Sequence, residues 1–257
     1  MSMPQSQDGR ELQPIDFTTG GMHYFTAYTY VFENPNWLMT LLLRTVCYII
    51  PVVGPIVLMG YQYEIVEALH RNPRRIFPDF NFERFAEYLG RGVWPFLVTL
   101  VAGMVMGAVT VVPMLLLQIL EAAGDHNEAI SLAALGMMIV LFVVITVLSF
   151  GSYLVMVPLM LRAGLTQEFA KAFDFDFVFD FIRRMWLEMI LVALFLWIST
   201  LVLMIAGFML CCIGIYPAMT LMMLANTHLF YQLYEVYLLR GGQSIPLKDP
   251  SPMPTAT

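Results

Sequence analysis

Long apolar runs, rather than short alternating ones, dominate the hydrophobic pattern of this chain. The clearest case is the stretch from 186 to 240, in which two apolar arms meet at a turn around Gly214 and Pro217. Glycine and proline favour chain reversal. Each arm exceeds the roughly 20 apolar residues that cross a hydrocarbon core about 30 Å thick. The stretch therefore predicts a hairpin of two membrane helices.

Four further apolar runs lie at 38–50, 56–71, 94–120 and 130–161. Trp37, Trp94 and Trp186 open three of the six segments, at the place where an amphipathic ring favours the membrane interface. Paired along the chain, the six segments predict three helical hairpins.

The first of these hairpins is shorter than the last. Only 17 positions separate Trp37 from Gly54, whereas 28 separate Trp186 from Gly214. At about 1.5 Å per residue its arms reach roughly 25 Å, just under the hydrocarbon thickness. The Pro51–Pro55 hairpin is therefore either a thin pair of spans or a re-entrant element.

Two segments with helical apolar spacing precede the second and third hairpins. After a capping Asn81, the apolar residues Phe82, Phe85 and Leu89 recur at that spacing. In 164–185, phenylalanines alternate with aspartates but also recur every four residues. An isolated strand would have no partner beside a helical bundle, so this segment predicts a helix capped by Asp176. Both are predicted to be amphipathic helices at the membrane interface.

Together these patterns predict an all-α integral membrane helix bundle. It consists of three helical hairpins, or six membrane helices with a short first pair, and two amphipathic interfacial helices. Residues 15–240 form a single domain. The polar residues 1–14 and the proline-rich residues 241–257 are predicted to be disordered tails.

Composition and charge support this interpretation and add an orientation. The chain is 59% hydrophobic and only 12% charged, against roughly 25% charged in soluble domains. The turns around 54, 121–129 and 214 contain no lysine or arginine. The basic residues on the other side are Arg71, Arg74, Arg75, Arg84, Arg91, Arg162, Lys171, Arg183, Arg184, Arg240 and Lys248. Basic loops stay in the cytoplasm, which predicts a multi-pass protein of the bacterial cytoplasmic membrane with both termini cytoplasmic.

Arg44 and Glu64 are the first candidate site, because ionisable residues at membrane depth are costly and usually paired. Folding the first hairpin about its turn places residue 44 opposite residues 62–64. The functional hypothesis is a buried pair that lines a polar cavity. The alternatives are a structural lock, or an arginine that extends to the headgroups.

Asn226 and His228 are the second candidate, well inside the last apolar segment. His228, Gln232 and Glu235 share one helix face, which suits either a proton or ligand path or hydrogen bonding between helices. Glu64, Glu67 and His70 have the spacing of a metal-binding face, but a solvated helix end is the simpler interpretation. Cys47, Cys211 and Cys212 lack zinc-site spacing. Neither a metal nor a cofactor is expected.

Several short motifs resemble a bacterial membrane family catalogued as domain of unknown function 4013. They are Asn34-Pro35-Asn36-Trp37, the Pro-x-x-Gly-Pro turn followed by Gly60-Tyr61, Pro78-Asp79-Phe80 and Cys211-Cys212-Ile213-Gly214. The resemblance covers roughly residues 30–240. It implies a multi-pass membrane protein without an established activity, and it supplies no catalytic residue.

The predicted function is therefore non-enzymatic: a structural, scaffolding or accessory component of the membrane. A small-solute or ion transporter or channel is the alternative, and a lipid-modifying enzyme the third. Membrane lipids are the expected partners, together with a membrane protein or a second copy of the chain. No basic surface for nucleic acid is evident.

Overall fold

A computed structural model describes residues 21–72, 77–123, 128–209 and 214–248, and within these ranges the chain forms helices and no strand. The helices are α1 (Thr26–Glu33), α2 (Trp37–Ile49), α3 (Val53–Arg71), α4 (Phe85–Ala123), α5 (Glu128–Thr166), α6 (Phe169–Ala172), α7 (Phe175–Met209) and α8 (Ile215–Leu239). A single 3-10 turn, Phe82–Arg84, precedes α4. The predicted all-α class is confirmed.

Three helices are long and apolar enough to cross a membrane. The qualifying stretches are Phe82–Leu115, Leu135–Thr166 and Phe175–Met209. Their outer faces are apolar, and large side chains there are more than half exposed. Examples are Met104, Val105, Ile119, Leu132, Phe142, Val147, Trp197, Val202 and Phe208. A soluble protein rarely leaves so continuous an apolar surface uncovered.

Helix α8 forms the centre of the packed region rather than part of this apolar surface. It contacts α1, α2, α3 and α7. Although it is 25 residues long, it is not among the three apolar helices. Its polar residues Thr227, His228 and Gln232 are buried inside the protein. Neighbouring helices therefore surround α8, which explains why it tolerates groups that lipid would reject.

Helices α3 and α4 cross in backbone contact at Gly60 and Gly92. A Cβ atom built on Gly92 would lie 1.8 Å from the carbonyl oxygen of Ile56. One built on Gly60 would lie 1.8 Å from the carbonyl oxygen of Tyr88. Only glycine lets two helix backbones approach so closely. This contact fixes the start of α4 against α3.

The two predicted interfacial helices are not separate elements, which corrects the sequence-based fold. The segment after Asn81 is continuous with α4, which has 39 residues, and the phenylalanine-rich segment is continuous with α7, which has 35. Both tryptophans that were expected to open spans, Trp94 and Trp186, lie inside these helices because no residue before them interrupts the helical backbone. Helix rather than strand is confirmed for the phenylalanine-rich segment.

The predicted caps of these two helices have different outcomes. Asn81 caps as expected, since its side-chain oxygen accepts the N–H of Glu83 at 2.9 Å. Asp176 was the wrong residue for α7. Asp174 accepts the N–H of Phe177 at 3.2 Å instead, because α7 begins at Phe175, two residues earlier than a cap at Asp176 predicts.

The first of the two helices predicted to form the short hairpin is short, whereas the second, α3, has 19 residues. Helix α2 has 13 residues, or about 20 Å at 1.5 Å per residue. The turn that follows is apolar and open, with Ile49 70% and Val52 64% exposed. Val52 has φ 65° and ψ −58°, and the N–H of Val53 donates to the carbonyl of Pro51 at 2.7 Å. This is a tight γ-turn, strained for a β-branched residue.

Opposite this turn, the charged helix ends gather at one end of the bundle. Arg162 pairs with Asp174, which joins the end of α5 to the start of α7. Arg240 pairs with Glu188, which joins α8 to α7. The N–H of Lys248 donates to the carbonyl of Leu165. Arg162, Arg240 and Lys248, which the sequence placed on one side, therefore lie at the same end of the bundle.

Residues 241–248, which the sequence assigned to a disordered tail, lie along α8 instead. Ile245 is 3% exposed, and its N–H donates to the hydroxyl of Tyr234 at 2.8 Å. Apolar Ile245 and Leu247 explain the packing. Several other predictions lie outside the described residues: the tail at 1–14, the basic pair Arg74-Arg75, the loop 124–127, the adjacent cysteines and residues 249–257.

Candidate functional site

Arg44 is the most unusual side chain in the described part of the protein. It lies on the face of α2 that also carries Thr40, Leu41 and Cys47, all of which are buried. These positions recur every three to four residues, so they form one stripe of the helix. Arg44 itself is 0% exposed. The apolar face of α2 that packs on the bundle thus places a charged group inside the protein.

Tyrosines surround this guanidinium. Its central carbon lies 5.0 Å from the ring centroid of Tyr61, a cation–π contact. Tyr30, Tyr48 and Cys47 are the other groups close enough to interact with it electrostatically. None of its three side-chain nitrogens has a hydrogen-bond partner among the described residues. Arg44 is therefore a buried cation that lacks the hydrogen bonds such a group requires.

The hydroxyls of the surrounding tyrosines donate away from Arg44. Tyr30 donates to the carbonyl of Leu224 at 2.9 Å, and Tyr61 donates to that of Pro78 at 2.6 Å. The hydroxyl of Tyr48 contacts a methionine sulfur at 3.0 Å. The tyrosine rings therefore lie near the guanidinium, while the tyrosine hydroxyls form hydrogen bonds to other helices and loops.

The predicted pairing of Arg44 with Glu64 is wrong. Glu64 accepts two hydrogen bonds from Arg84, at 2.6 and 3.0 Å. The contact of α3 with α4 brings Arg84 to this carboxylate, and planar two-point pairing is the preferred geometry of such a pair. Glu64 therefore belongs to the charged end of the bundle, apart from Arg44.

Glu67 and His70 belong to the same charged end and do not form the proposed metal face with Glu64. Glu67 pairs with Arg71 and Arg91, and His70 Nδ1 lies 2.5 Å from Glu235. No cluster of three or more potential metal ligands occurs among the described residues.

His228 is held in a hydrogen-bonded group with Gln232. The side-chain oxygen of Gln232 accepts the N–H of His23 at 2.7 Å, so its amide nitrogen must serve as the donor. That nitrogen lies 3.0 Å from the carbonyl of His23 and 2.9 Å from Nδ1 of His228. His228 Nδ1 is therefore an acceptor and the ring is neutral. This geometry favours hydrogen bonding between elements over a proton path.

Asn226, the remaining candidate, is only partly buried. Its side-chain oxygen is buried and has no hydrogen-bond partner among the described residues. The ring of His228 lies 4.2 Å from that of Tyr30, which in turn borders Arg44. The His228 group thus adjoins the surroundings of Arg44, while the charge of Glu64 lies elsewhere.

A polar junction that the sequence did not identify as a contact joins two of the quoted motifs. The carboxylate of Asp79 accepts from Asn34 at 2.9 Å and from Asn36 at 2.7 Å. The motif Asn34-Pro35-Asn36 is thereby fixed to Pro78-Asp79-Phe80. Complementary amide and carboxylate groups in both motifs were the only sequence signal for this contact.

The aromatic enclosure of Arg44 was also missed. Tyr30, Tyr48 and Tyr61 come from α1, α2 and α3, and no local spacing relates them. Only Tyr61 lay within a motif that the resemblance had singled out.

Comparisons with known proteins agree with the resemblance over a narrower range. The sequence profile of a family described as "Protein of unknown function (DUF4013)" matches residues 43–212. No curated protein matches the chain. No solved structure matches it either.

Proposed function

We propose that this chain, which belongs to the DUF4013 family, is a multi-pass protein of the cytoplasmic membrane with a non-enzymatic structural, scaffolding or accessory role. The observation that carries the proposal is the division of its surface. Three long helices present exposed apolar side chains, whereas the charged residues gather at one end. Such a molecule matches a bilayer with one aqueous face.

Within this proposal, α4, α5 and α7 cross the membrane, and α8 returns through the centre of the bundle. The short hairpin of α2 and α3 enters from the charged end and turns inside the bilayer. The N–H groups of Ile50, Val53 and Gly54 donate to backbone carbonyls at 2.7–3.1 Å, and prolines at 51 and 55 have no N–H. Few free donors remain to face lipid, which supports a re-entrant turn.

The positive-inside rule assigns the charged end to the cytoplasm. Both termini then lie on that side, since α1 precedes the short hairpin and residues 241–248 pack near Leu165 at the charged end.

The ion pairs at the charged end support a structural role there. Several carboxylates at this end are held by a cation, as in the pairs of Glu64 with Arg84, Asp174 with Arg162 and Asp180 with Arg184. Catalytic groups require free acids and bases that converge on a substrate. Pairs that link α3 to α4, and α5 to α7, instead fix the relative positions of helices.

A transporter or channel for small anions is the second candidate, and Arg44 is the observation that favours it. A charge inside the membrane region by default suggests a path or a binding site. The aromatic rings around Arg44 and the hydrogen-bonded His228 group argue against an open aqueous route, so this role ranks second.

Two measurements on the same preparation separate these roles. Chain purified from native membranes is examined for a stoichiometric membrane protein partner or a second copy, and is then reconstituted into vesicles for flux of chloride and acetate. The scaffold role predicts a reproducible partner and flux equal to that of empty vesicles. Flux above that of empty vesicles which Arg44→Met abolishes would reject the scaffold role in favour of transport.

A further inference from the structure

The buried guanidinium of Arg44 has no part in the scaffold role. An arginine side chain stays protonated in proteins, so burial leaves a full positive charge and five N–H donors. Here all three nitrogens lack a hydrogen-bond partner among the described residues, and the side chain is 0% exposed. An uncompensated buried charge is strongly unfavourable. A ligand that supplies acceptors and one negative charge would remove this penalty.

The nearby carboxylates do not supply that charge. Glu64 is bound by Arg84 through two hydrogen bonds. Asp79, in the loop that Tyr61 contacts, accepts from Asn34 and Asn36. Neither carboxylate is among the groups close enough to Arg44 to interact with it electrostatically. The charge at this site is therefore that of the guanidinium alone, which a singly charged anion balances and a doubly charged one would exceed.

We propose that Arg44 is the centre of a binding site for a singly charged oxyanion, either a carboxylate or a phosphodiester. The planar fork of a guanidinium matches the paired oxygens of these two groups.

The position of the site indicates where the ligand comes from. Tyr61, under the guanidinium, donates to Pro78 in the loop at the charged end, so the site lies one tyrosine length from that end. Anionic headgroups and small cytoplasmic carboxylates are the two sources available there. Both present the same chemistry to Arg44.

This site goes beyond the scaffold role and would define the solute class of the second candidate. Anion binding is measured in detergent and does not depend on flux through vesicles. A protein without the anion site and a protein without the proposed scaffold role therefore give different results.

The test measures thermal unfolding of the full chain in neutral detergent. Added phosphatidylglycerol is compared with zwitterionic phosphatidylcholine, and sodium acetate with sodium chloride at equal ionic strength. A ligand at about 100 times its Kd should raise Tm by roughly 5–10 °C. Arg44→Met should abolish this increase, whereas Arg183→Met, at an exposed arginine, should retain it.

Without anion, Arg44→Met should unfold at or above the wild-type temperature, because it removes an unpaired buried charge.

An increase with phosphatidylglycerol alone assigns the site to a lipid headgroup, and an increase with acetate as well assigns it to small carboxylates. Equal increases in the wild type and Arg44→Met, or none in either, would overturn the proposal. If Arg44→Met does not fold, Arg44→Lys is the deciding variant. Lysine keeps the positive charge but lacks the planar pair of N–H donors, so the anion must raise its Tm by less than it raises that of the wild type. An undiminished increase in Arg44→Lys would also contradict the site.

Discussion

Replacing Gly92 with alanine should strongly destabilise the protein, although it adds only one methyl group. The new Cβ would lie 1.8 Å from the carbonyl oxygen of Ile56, so α3 and α4 must separate along their contact. Overpacking a core costs roughly 1–3 kcal/mol and occasionally more. Because the clash is with rigid backbone, we expect a loss of about 3 kcal/mol in unfolding free energy, at the upper end of that range, measured by denaturant titration in detergent.

Gly103→Ala is the matched control on the same helix. No atom lies within 4 Å of a Cβ built there, and the position is exposed. Alanine is favoured over glycine in a helix by about 0.5–1 kcal/mol, so this variant should be unchanged or slightly more stable. Equal effects of the two substitutions would show that α3 and α4 do not meet at Gly60 and Gly92.

The second large effect is expected for Gln232→Leu. Gln232 is 0% exposed and bonds to both backbone groups of His23 and to His228. Leucine would remove both bonds to the His23 backbone and would leave the buried Nδ1 of His228 without this donor, at about 1–3 kcal/mol for a buried group left unsatisfied. We expect a loss on the order of 2–4 kcal/mol in unfolding free energy, together with faster proteolysis around residues 21–25, which Gln232 holds against α8.

Gln118→Leu provides the control for this substitution. Gln118 lies on the exposed face of α4, where leucine would meet lipid. Its stability and its rate of N-terminal proteolysis should equal those of the wild type. A Gln232→Leu protein that resists protease as well as this control would show that residue 23 is not held by α8.

Local pattern was enough to predict the helices but not their limits. The apolar runs correctly predicted that the described residues are all-helical and that the phenylalanine-rich segment is a helix. Trp94 and Trp186 suggested boundaries at which the structure has none, because an interfacial residue does not have to break a helix. The residue at which a helix leaves the protein interior depends on the helices packed against it. The sequence of one segment does not reveal those neighbours.

Long-range contacts limited the prediction of the site. The burial of Arg44 followed from the apolar character of α2, but its assumed partner Glu64 is bonded to Arg84, in the 3-10 turn before α4. Similarly, the polar residues of α8 suited either a proton or ligand path or hydrogen bonding between helices, and α1, α2, α3 and α7 surround them. In both cases the chemistry of the residue was evident, and only the packing decided what it faces.

Three apolar helices should place the charged end of this protein on one side of a membrane, and labelling tests this most directly. Single cysteines at Glu83, Glu168, Gln243 and Ala122, in a background without native cysteines, are treated with a membrane-impermeant thiol reagent. In inside-out vesicles, positions 83, 168 and 243 should react and position 122 should not, with the reverse in spheroplasts. Reaction of all four positions from one side, or division of the first three between the two sides, would contradict this arrangement.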